Sequence, residues 1–399
     1  MDVEKIRQDF PILQKSNLIY FDNACVTLKP RQVIEALNRY YNDFPSCAGR
    51  SSHRLGRMVD EEVDKAREVA ARFFNAKAKE MIFTRNTTEA INLLAHTLPL
   101  KAGDRVLTTD KEHNSNLVPW LIAASTRGVK HETVMSNPDG TFNLDNFRAK
   151  MDKSTKLVSM VYTSNLDGVT NPAREIIKIA HDHGAHVLLD AAQTAPHRPI
   201  DVRALDVDFL ACSGHKMLGP SGTGILYGKA ALLENLPHYI AGGGTVIDST
   251  YESFKPEKVP ERFEAGLQDY AGIIGLGAAL QYLSKLGLQN VEKHESDLNR
   301  TMTEGISNIK GLSIIGSADS SLRGGIVSFN LNGIDSHEVA MLLDRNANIA
   351  IRSGAHCVHS WFNAHGMKGS ARASLYIYNT REECNIFLEQ LKKIAALVK

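Results

Sequence analysis

Short uninterrupted apolar runs alternate along the first half of the chain with stretches whose apolar positions recur every three or four residues. The runs Arg105–Thr109, Leu157–Tyr162, His186–Asp190, Phe209–Ser213 and Thr223–Tyr227 predict strands buried on both faces. Between them, Leu55, Val59, Val63, Ala66, Val69, Ala70 and Phe73 share one face of a helix. This alternation predicts an α/β fold with a mainly parallel sheet covered by helices. In such sheets, ligands sit beyond the carboxyl ends of the strands. After the apolar segment Ile273–Leu286 the pattern resets. A polar helix over about Asn290–Ile309 precedes a strand Gly325–Leu331, a helix after Ser336, strands Asn348–Arg352 and Ala373–Asn379, and a last helix to Val398. The expected organisation is a large domain over 17–287 and a smaller C-terminal α/β domain over 288–399, with segment 1–16 packed on the smaller one.

Composition narrows the function classes. Forty-six basic against 45 acidic side chains leave a net charge of +1, which gives no electrostatic case for nucleic acid or an anionic membrane as partner. The charged start Met-Asp-Val-Glu-Lys reads as no signal peptide. The longest uncharged stretch, Tyr270 to Ser284, is too short and glycine-rich to span a bilayer. The cysteines Cys25, Cys47, Cys212, Cys357 and Cys384 are odd in number and scattered, so they form neither a disulfide framework nor a metal-binding spacing. A reducing cytoplasm is the expected location, and no metal is expected.

Candidate chemistry gathers at the predicted strand ends. The run Phe209–Ser213 leads into Gly214-His215-Lys216, and the chain turns at Gly219-Pro220 before the next apolar run. Asp190 closes the strand before it, Gln193 lies three residues further on, and Lys216 follows Asp190 by 26 residues, about one strand with its connections. Both side chains then emerge at one sheet edge. A lysine able to form a Schiff base and a carboxylate that keeps a ring nitrogen protonated are what pyridoxal 5'-phosphate requires. A phosphate would find backbone N–H groups and hydroxyls where a helix begins near Thr87-Thr88-Glu89, with Ser213 and His215 as further donors. His113, after the strand Arg105–Thr109, can stack on a pyridine ring and pass protons; Asn165, after Leu157–Tyr162, can reach a phenolic oxygen. Taken singly, these residues also read as helix caps, turn residues or solvated loop side chains.

Seven segments carry a resemblance in order along nearly the whole chain: YFDNACVTLKP, TRNTTEAINLLA, EHNSNLVPW, LLDAAQ, CSGHKMLGPSGTGILY, ERFEAG and ARASLYIYNT. They resemble the class V aminotransferase superfamily and, within it, cysteine desulfurases of the second group, the sulfur-mobilisation type that includes selenocysteine lyase-like members. The resemblance implies fold type I with a mainly parallel sheet of the seven-stranded type, a homodimer, pyridoxal phosphate on Lys216 and L-cysteine as substrate. It also implies a sulfur acceptor or scaffold protein in iron–sulfur cluster or other sulfur-transfer pathways. Cys357, in IAIRSGAHCVHSWF, matches the family's Arg-x-Gly-x-His-Cys and would take the sulfur as a persulfide, with His356 beside it. The other four cysteines read as unreactive. Arg372 is the expected clamp for the substrate carboxylate; Asn165 and Arg352 are expected in the same pocket, and His53, in GRSSHRLG, near the substrate.

Departures from the family pattern are local. Phe263-Glu264-Ala265-Gly266 is followed by Leu267, where the family commonly has a threonine reaching the partner's phosphate; Gln268 is the available substitute. Ala355-His356 replaces a His-His pair, and VHSWFNAHGMKG departs from the commoner continuation, which bears on substrate access and acceptor choice. The alternatives are a selenocysteine lyase, which shares lysine and thiol, or another class V pyridoxal phosphate aminotransferase, which needs no Cys357. A non-enzymatic scaffold would carry no cofactor.

Overall fold

Apolar runs of this kind have no polar face to give to water, so they become the interior of a covered sheet. The computed structural model describes residues 1–397. Its largest sheet has seven strands, numbered here in chain order: β1 Met81–Thr84, β2 Arg105–Thr109, β3 Lys130–Val134, β4 Thr155–Val161, β5 His186–Asp190, β6 Phe209–Ser213 and β7 Gly224–Gly228. Their spatial order is β1-β7-β6-β5-β4-β2-β3. Only β7 runs against its neighbours, β1 and β6; the pairs from β6 across to β3 are parallel. The edge strand β3, Lys-His-Glu-Thr-Val, is mostly half-buried and lacks the apolar run that announces the others.

The chain passes from β2 out to edge strand β3 and returns to β4 on the other side of β2. This reversal leaves a crevice beyond the carboxyl ends of β2 and β4, the place where open α/β sheets bind ligands. Glu112 braces it. Its Oε1 accepts the amide of Thr109 at 3.1 Å and the amide of Val161 at 2.9 Å, one from each strand. Its Oε2 accepts Asn116 Nδ2 at 2.7 Å. Burial pushes this carboxyl up to about 7, against those donors.

On one face, helix Tyr270–Leu286 lies against helix Arg54–Phe73 so closely that a Cβ on Gly277 would stand 2.9 Å from Ala66 Cβ. Gly287, at φ +77°, then breaks the chain between Tyr270–Leu286 and Leu288–Ser307, whose axes differ by 74°. Among the described residues, no single helix is long and apolar enough to cross a membrane.

Leu288–Ser307 enters a second core containing Leu298, Met302, Phe329 and Phe387. Here four antiparallel strands stand in the order Leu312–Ile314, Ile326–Leu331, Ser370–Ser374, Arg352–Gly354. The expected strand Asn348–Arg352 is divided. Asn348 adopts a left-handed conformation at φ +53°, Ile349–Ala350 pairs with Ile19–Tyr20, and Arg352–Gly354 joins the four-stranded sheet. The expected strand Ala373–Asn379 ends at Ser374, because Asn379 Oδ1 accepts the amide of Tyr376 at 2.8 Å and folds Leu375–Asn379 into a buried turn. The last helix is Arg381–Leu397, and Val398 lies outside the described residues. Near the N-terminus, Ile6 and Phe10 join the first core, Phe10 packing edge-on against Tyr378 and Tyr282, while Arg7 donates to Glu383 of the last helix at 2.7 Å.

A buried ion pair ties the loop after Pro260 to the sheet edge. Arg67 makes two parallel hydrogen bonds to Glu264, both 2.7 Å, and Glu264 Oε1 also accepts the amide of Phe83 at 2.7 Å. Removing one partner leaves the other charge buried and unpaired. Arg67→Met is expected to cost about 3–5 kcal/mol, read as a fall in the urea midpoint of unfolding; an unchanged midpoint would contradict this account of the loop.

Candidate active site

The carboxyl ends of the central strands open into one cavity of about 240 Å³. Asp190 enters it from the last residue of β5, and Lys216 from the short 3₁₀ turn Gly214–Lys216 that follows β6. The turn is fastened from behind: the carbonyl of His215 accepts the amide of Thr27, its hydroxyl and Lys29 Nζ, each at 3.0 Å. Asp190 Oδ1 accepts the amide of Ala192 at 2.9 Å. Burial raises the Asp190 carboxyl above its ordinary range, against the amide of Ala192 and the nearby Lys216. Burial likewise lowers the Lys216 amine, against the pull of Asp190. Both groups are thereby shifted toward their uncharged forms, and a neutral amine is the nucleophilic form of lysine.

Hydroxyls collect where two helices begin. Thr87 and Ser213 share a hydrogen bond at 2.7 Å at the start of helix Thr87–Thr97, and the Thr87 amide donates to Ser213 Oγ at 2.9 Å. Thr88 and Ser115 share another at 2.7 Å, Ser115 lying in the first turn of helix Asn114–Arg127. The two N-termini and their hydroxyls suit a phosphate. Gly224 permits this approach, since a Cβ there would stand 2.7 Å from Asn86 Cα. His215 borders the same side, its imidazole pushed down to about 4 by burial and by the charges of Lys216 and Lys29.

His113 caps the helix Asn114–Arg127, its Nδ1 accepting the amide of Ser115 at 3.1 Å. That bond assigns the remaining ring proton to Nε2. Burial, with Lys216, Arg372 and His359 adding to it, pushes this imidazole down to about 3. Gln193 Nε2 donates to the carbonyl of Ala24 at 2.7 Å and Asn165 Nδ2 to the carbonyl of His356 at 2.8 Å. Their Oε1 and Oδ1 are buried without a hydrogen-bond partner, the state of side chains arranged for a ligand. An amine, a desolvated carboxyl, unpartnered amide oxygens and a hydroxyl cluster at helix starts together fit pyridoxal phosphate.

Two arginines close the cavity from the smaller sheet, directly opposite each other in register. Arg372 donates to the carbonyl of Asn165 at 2.9 Å, its Nε has no partner, and burial pushes it down only to about 10, so it stays charged at neutral pH. Arg352 Nη1 donates to Cys25 Sγ at 3.1 Å. Cys357 lies in the loop beyond Arg352. Its carbonyl accepts the amide of Asn114 at 2.7 Å, and both it and His356 hold left-handed conformations at φ +59° and +49°. Non-glycine residues persist there only when the surroundings over-determine them. His356 Nε2 shares a hydrogen bond with Ser370 at 2.9 Å, and burial followed by the two arginines pushes it down to about 2.

Of the side chains singled out in the sequence for this site, all but His53 and Gln268 line this cavity. His53 instead caps helix Arg54–Phe73, exposed to solvent, with Nδ1 accepting the amide of Gly56 at 3.2 Å. Cys25, Asn86 and Ser115 also line the cavity and had no role from the sequence. Ser115 was within reach of a hydroxyl search beside His113; Cys25 sits in an apolar context that gave no signal.

A parallel sheet carrying a desolvated lysine and carboxyl at its strand ends, closed by a second α/β unit, defines a fold type I α/β enzyme scaffold. The chain belongs to the aminotransferase class-V family, which it matches over residues 19–387. It is 42% identical over 396 residues to a probable cysteine desulfurase of Synechocystis, covering 97% of this chain and 94% of the relative. It is 39% identical to an Escherichia coli cysteine desulfurase over 99% of both chains. The apo structure of a cysteine desulfurase from Thermococcus onnurineus superposes with a TM-score of 0.95 at 37% identity, over 98% of both chains.

The depressed His113 value makes a direct prediction. In cofactor-free protein its imidazole is expected to stay neutral from pH 8 down to about pH 5, since protonation sets in only near its value of about 3. Histidine NMR shifts with His113→Gln for assignment would test it; a midpoint near the ordinary 6.5 would contradict the buried setting.

Proposed function

We propose that this chain is a cysteine desulfurase, converting L-cysteine to L-alanine and leaving the sulfur as a persulfide on Cys357. The observation that carries the reading is a desolvated Lys216–Asp190 pair sharing one cavity with a thiol and a charged Arg372 whose Nε has no partner. Pyridoxal phosphate, bound through Lys216, supplies an electron sink for the bonds at the amino acid's α-carbon.

The chain's own residues divide the remaining work. Asp190 would hold a proton on the ring nitrogen, its buried, raised carboxyl suiting a proton shared within a buried pair. Gln193 and Asn165 would hold the ring substituents, and Thr87, Thr88, Ser213 and His215 would hold the phosphate. Arg372 receives the substrate carboxylate through two N–H groups, with Arg352 beside it. Lys216, as a neutral amine, would take the α-proton and later return it to the α-carbon. Cys357 thiolate attacks the substrate sulfur; the S–S bond forms as the C–S bond breaks, and the departing carbon takes a proton to give alanine. His113, neutral and protonated on Nε2, is placed to donate and recover that proton.

The same reading includes a homodimer. Ile240, Ile247, Tyr251, Phe254 and Leu267 are exposed within the segment 240–267, apolar side chains that a second copy would cover. Leu267 is 69% exposed and cannot hydrogen-bond through its side chain, while Gln268 Nε2 is spent on the carbonyl of Ala265 at 2.9 Å. An acceptor protein or small thiol discharges the persulfide, and five free cysteines accord with a reducing cytoplasm.

Two variants test these roles. Cys357→Ser is expected to keep the yellow cofactor and lose sulfide release from L-cysteine; retained turnover would defeat the assignment. Arg372→Lys, losing the two-pronged contact, is expected to cut kcat/KM for L-cysteine by roughly 10–100-fold, the worth of about 1.5–3 kcal/mol in charged hydrogen bonds. An unchanged kcat/KM would remove Arg372 from substrate binding.

A further inference from the structure

Two thiols face the cavity. Besides Cys357, Cys25 lines it, half-buried, in the turn that follows Asp22. The carbonyl of its neighbour Ala24 accepts Gln193 Nε2 at 2.7 Å, so the backbone carrying Cys25 is fixed against a residue at the base of the site. Its sulfur accepts a hydrogen bond from Arg352 Nη1 at 3.1 Å. Arg352 stands opposite Arg372 in register, so Cys25 contacts one of the two cations that close the cavity Cys357 lines. The remaining cysteines differ: Cys212 and Cys384 are buried in the two cores, and Cys47 does not line the cavity.

We propose that Cys25 is a second sulfur-accepting residue, receiving the sulfur from Cys357 inside the cavity; this rests on the desulfurase reading. A persulfide on Cys357 places its terminal sulfur about 2 Å beyond Sγ, from a loop held by the bonds of Asn114 to the Cys357 carbonyl and of Asn165 to the His356 carbonyl. The Cys25 thiolate attacks that terminal sulfur. A new S–S bond forms on Cys25 as the bond to Cys357 breaks, and Cys357 leaves as a thiolate that takes up the proton Cys25 gave up. The sulfur keeps its oxidation level, so no oxidant or reductant is consumed. Arg352 stands beside the anion on Cys25 before and after transfer. The consequence is a regenerated Cys357 while the first sulfur is still enclosed by the protein.

The test uses holoenzyme given excess L-cysteine without reductant, then alkylated, digested and mapped by mass spectrometry, with alanine measured in parallel. Added sulfur is expected on the Cys25 and Cys357 peptides of the unmodified protein, on Cys357 alone in Cys25→Ser, and on neither in Cys357→Ser. Sulfur on Cys357 and none on Cys25 in the unmodified protein overturns the relay while the desulfurase reading stands. Sulfur on Cys25 in Cys357→Ser also overturns it, as direct sulfuration from solution. Absence of both alanine and sulfur overturns the desulfurase reading and this proposal with it. The unmodified protein and Cys357→Ser decide the matter alone should Cys25→Ser fail to fold.

Discussion

An acid and an amine, brought together by neighbouring strands where little water reaches, set the terms for the rest of the site. Asp190 ends β5, and Lys216 follows β6; the two strands are in parallel register through Asp190 and Ala211. Burial raises the acid and lowers the amine, and their mutual attraction only partly offsets it. Taking such a pair out of water is costly unless further hydrogen bonds satisfy it. Within the protein Asp190 receives the amide of Ala192. A ligand that offers an electrophile to the amine and a protonated nitrogen to the acid would complete both.

Charge in the surrounding shell is sparse and placed on one side. Burial keeps His113, His215 and His356 low enough to be neutral near pH 7. Arg352 and Arg372 add positive charge from the smaller sheet, so an incoming carboxylate is drawn toward the boundary between the two cores. The phosphate-like cradle lies at the other side, where helices Thr87–Thr97 and Asn114–Arg127 begin. Glu112 joins β2 to β4 between these regions and leads directly into His113. The result is a site whose anion-binding ends are fixed by different parts of the fold.

Much of this was readable before the fold was known, for a physical reason. Strands buried on both faces must be nearly all apolar, so β5 and β6 announce themselves and a terminal Asp190 or Lys216 stands out against them. The same rule fails at an edge: β3 is half solvated and reads as polar loop. It fails again at Leu375–Asn379, an apolar stretch buried by packing and an Asn379 turn rather than by strand pairing. Asn348–Arg352 reads as one strand because a left-handed turn at Asn348 carries no apolar signature. His53 followed family likeness alone, and in a single chain it is a helix cap. Cys25 was passed over because a thiol next to Ala24 and Val26 looks like core; only the position of Arg352 distinguishes it.

The most direct test of the central claim is reduction of the holo-protein with borohydride, followed by peptide mapping. The account predicts a single pyridoxyl adduct, on the side chain of Lys216, and its absence from Lys216→Ala. An adduct on another lysine, such as the partly buried Lys29 nearby, or no adduct at all, would contradict the chemistry assigned to this cavity.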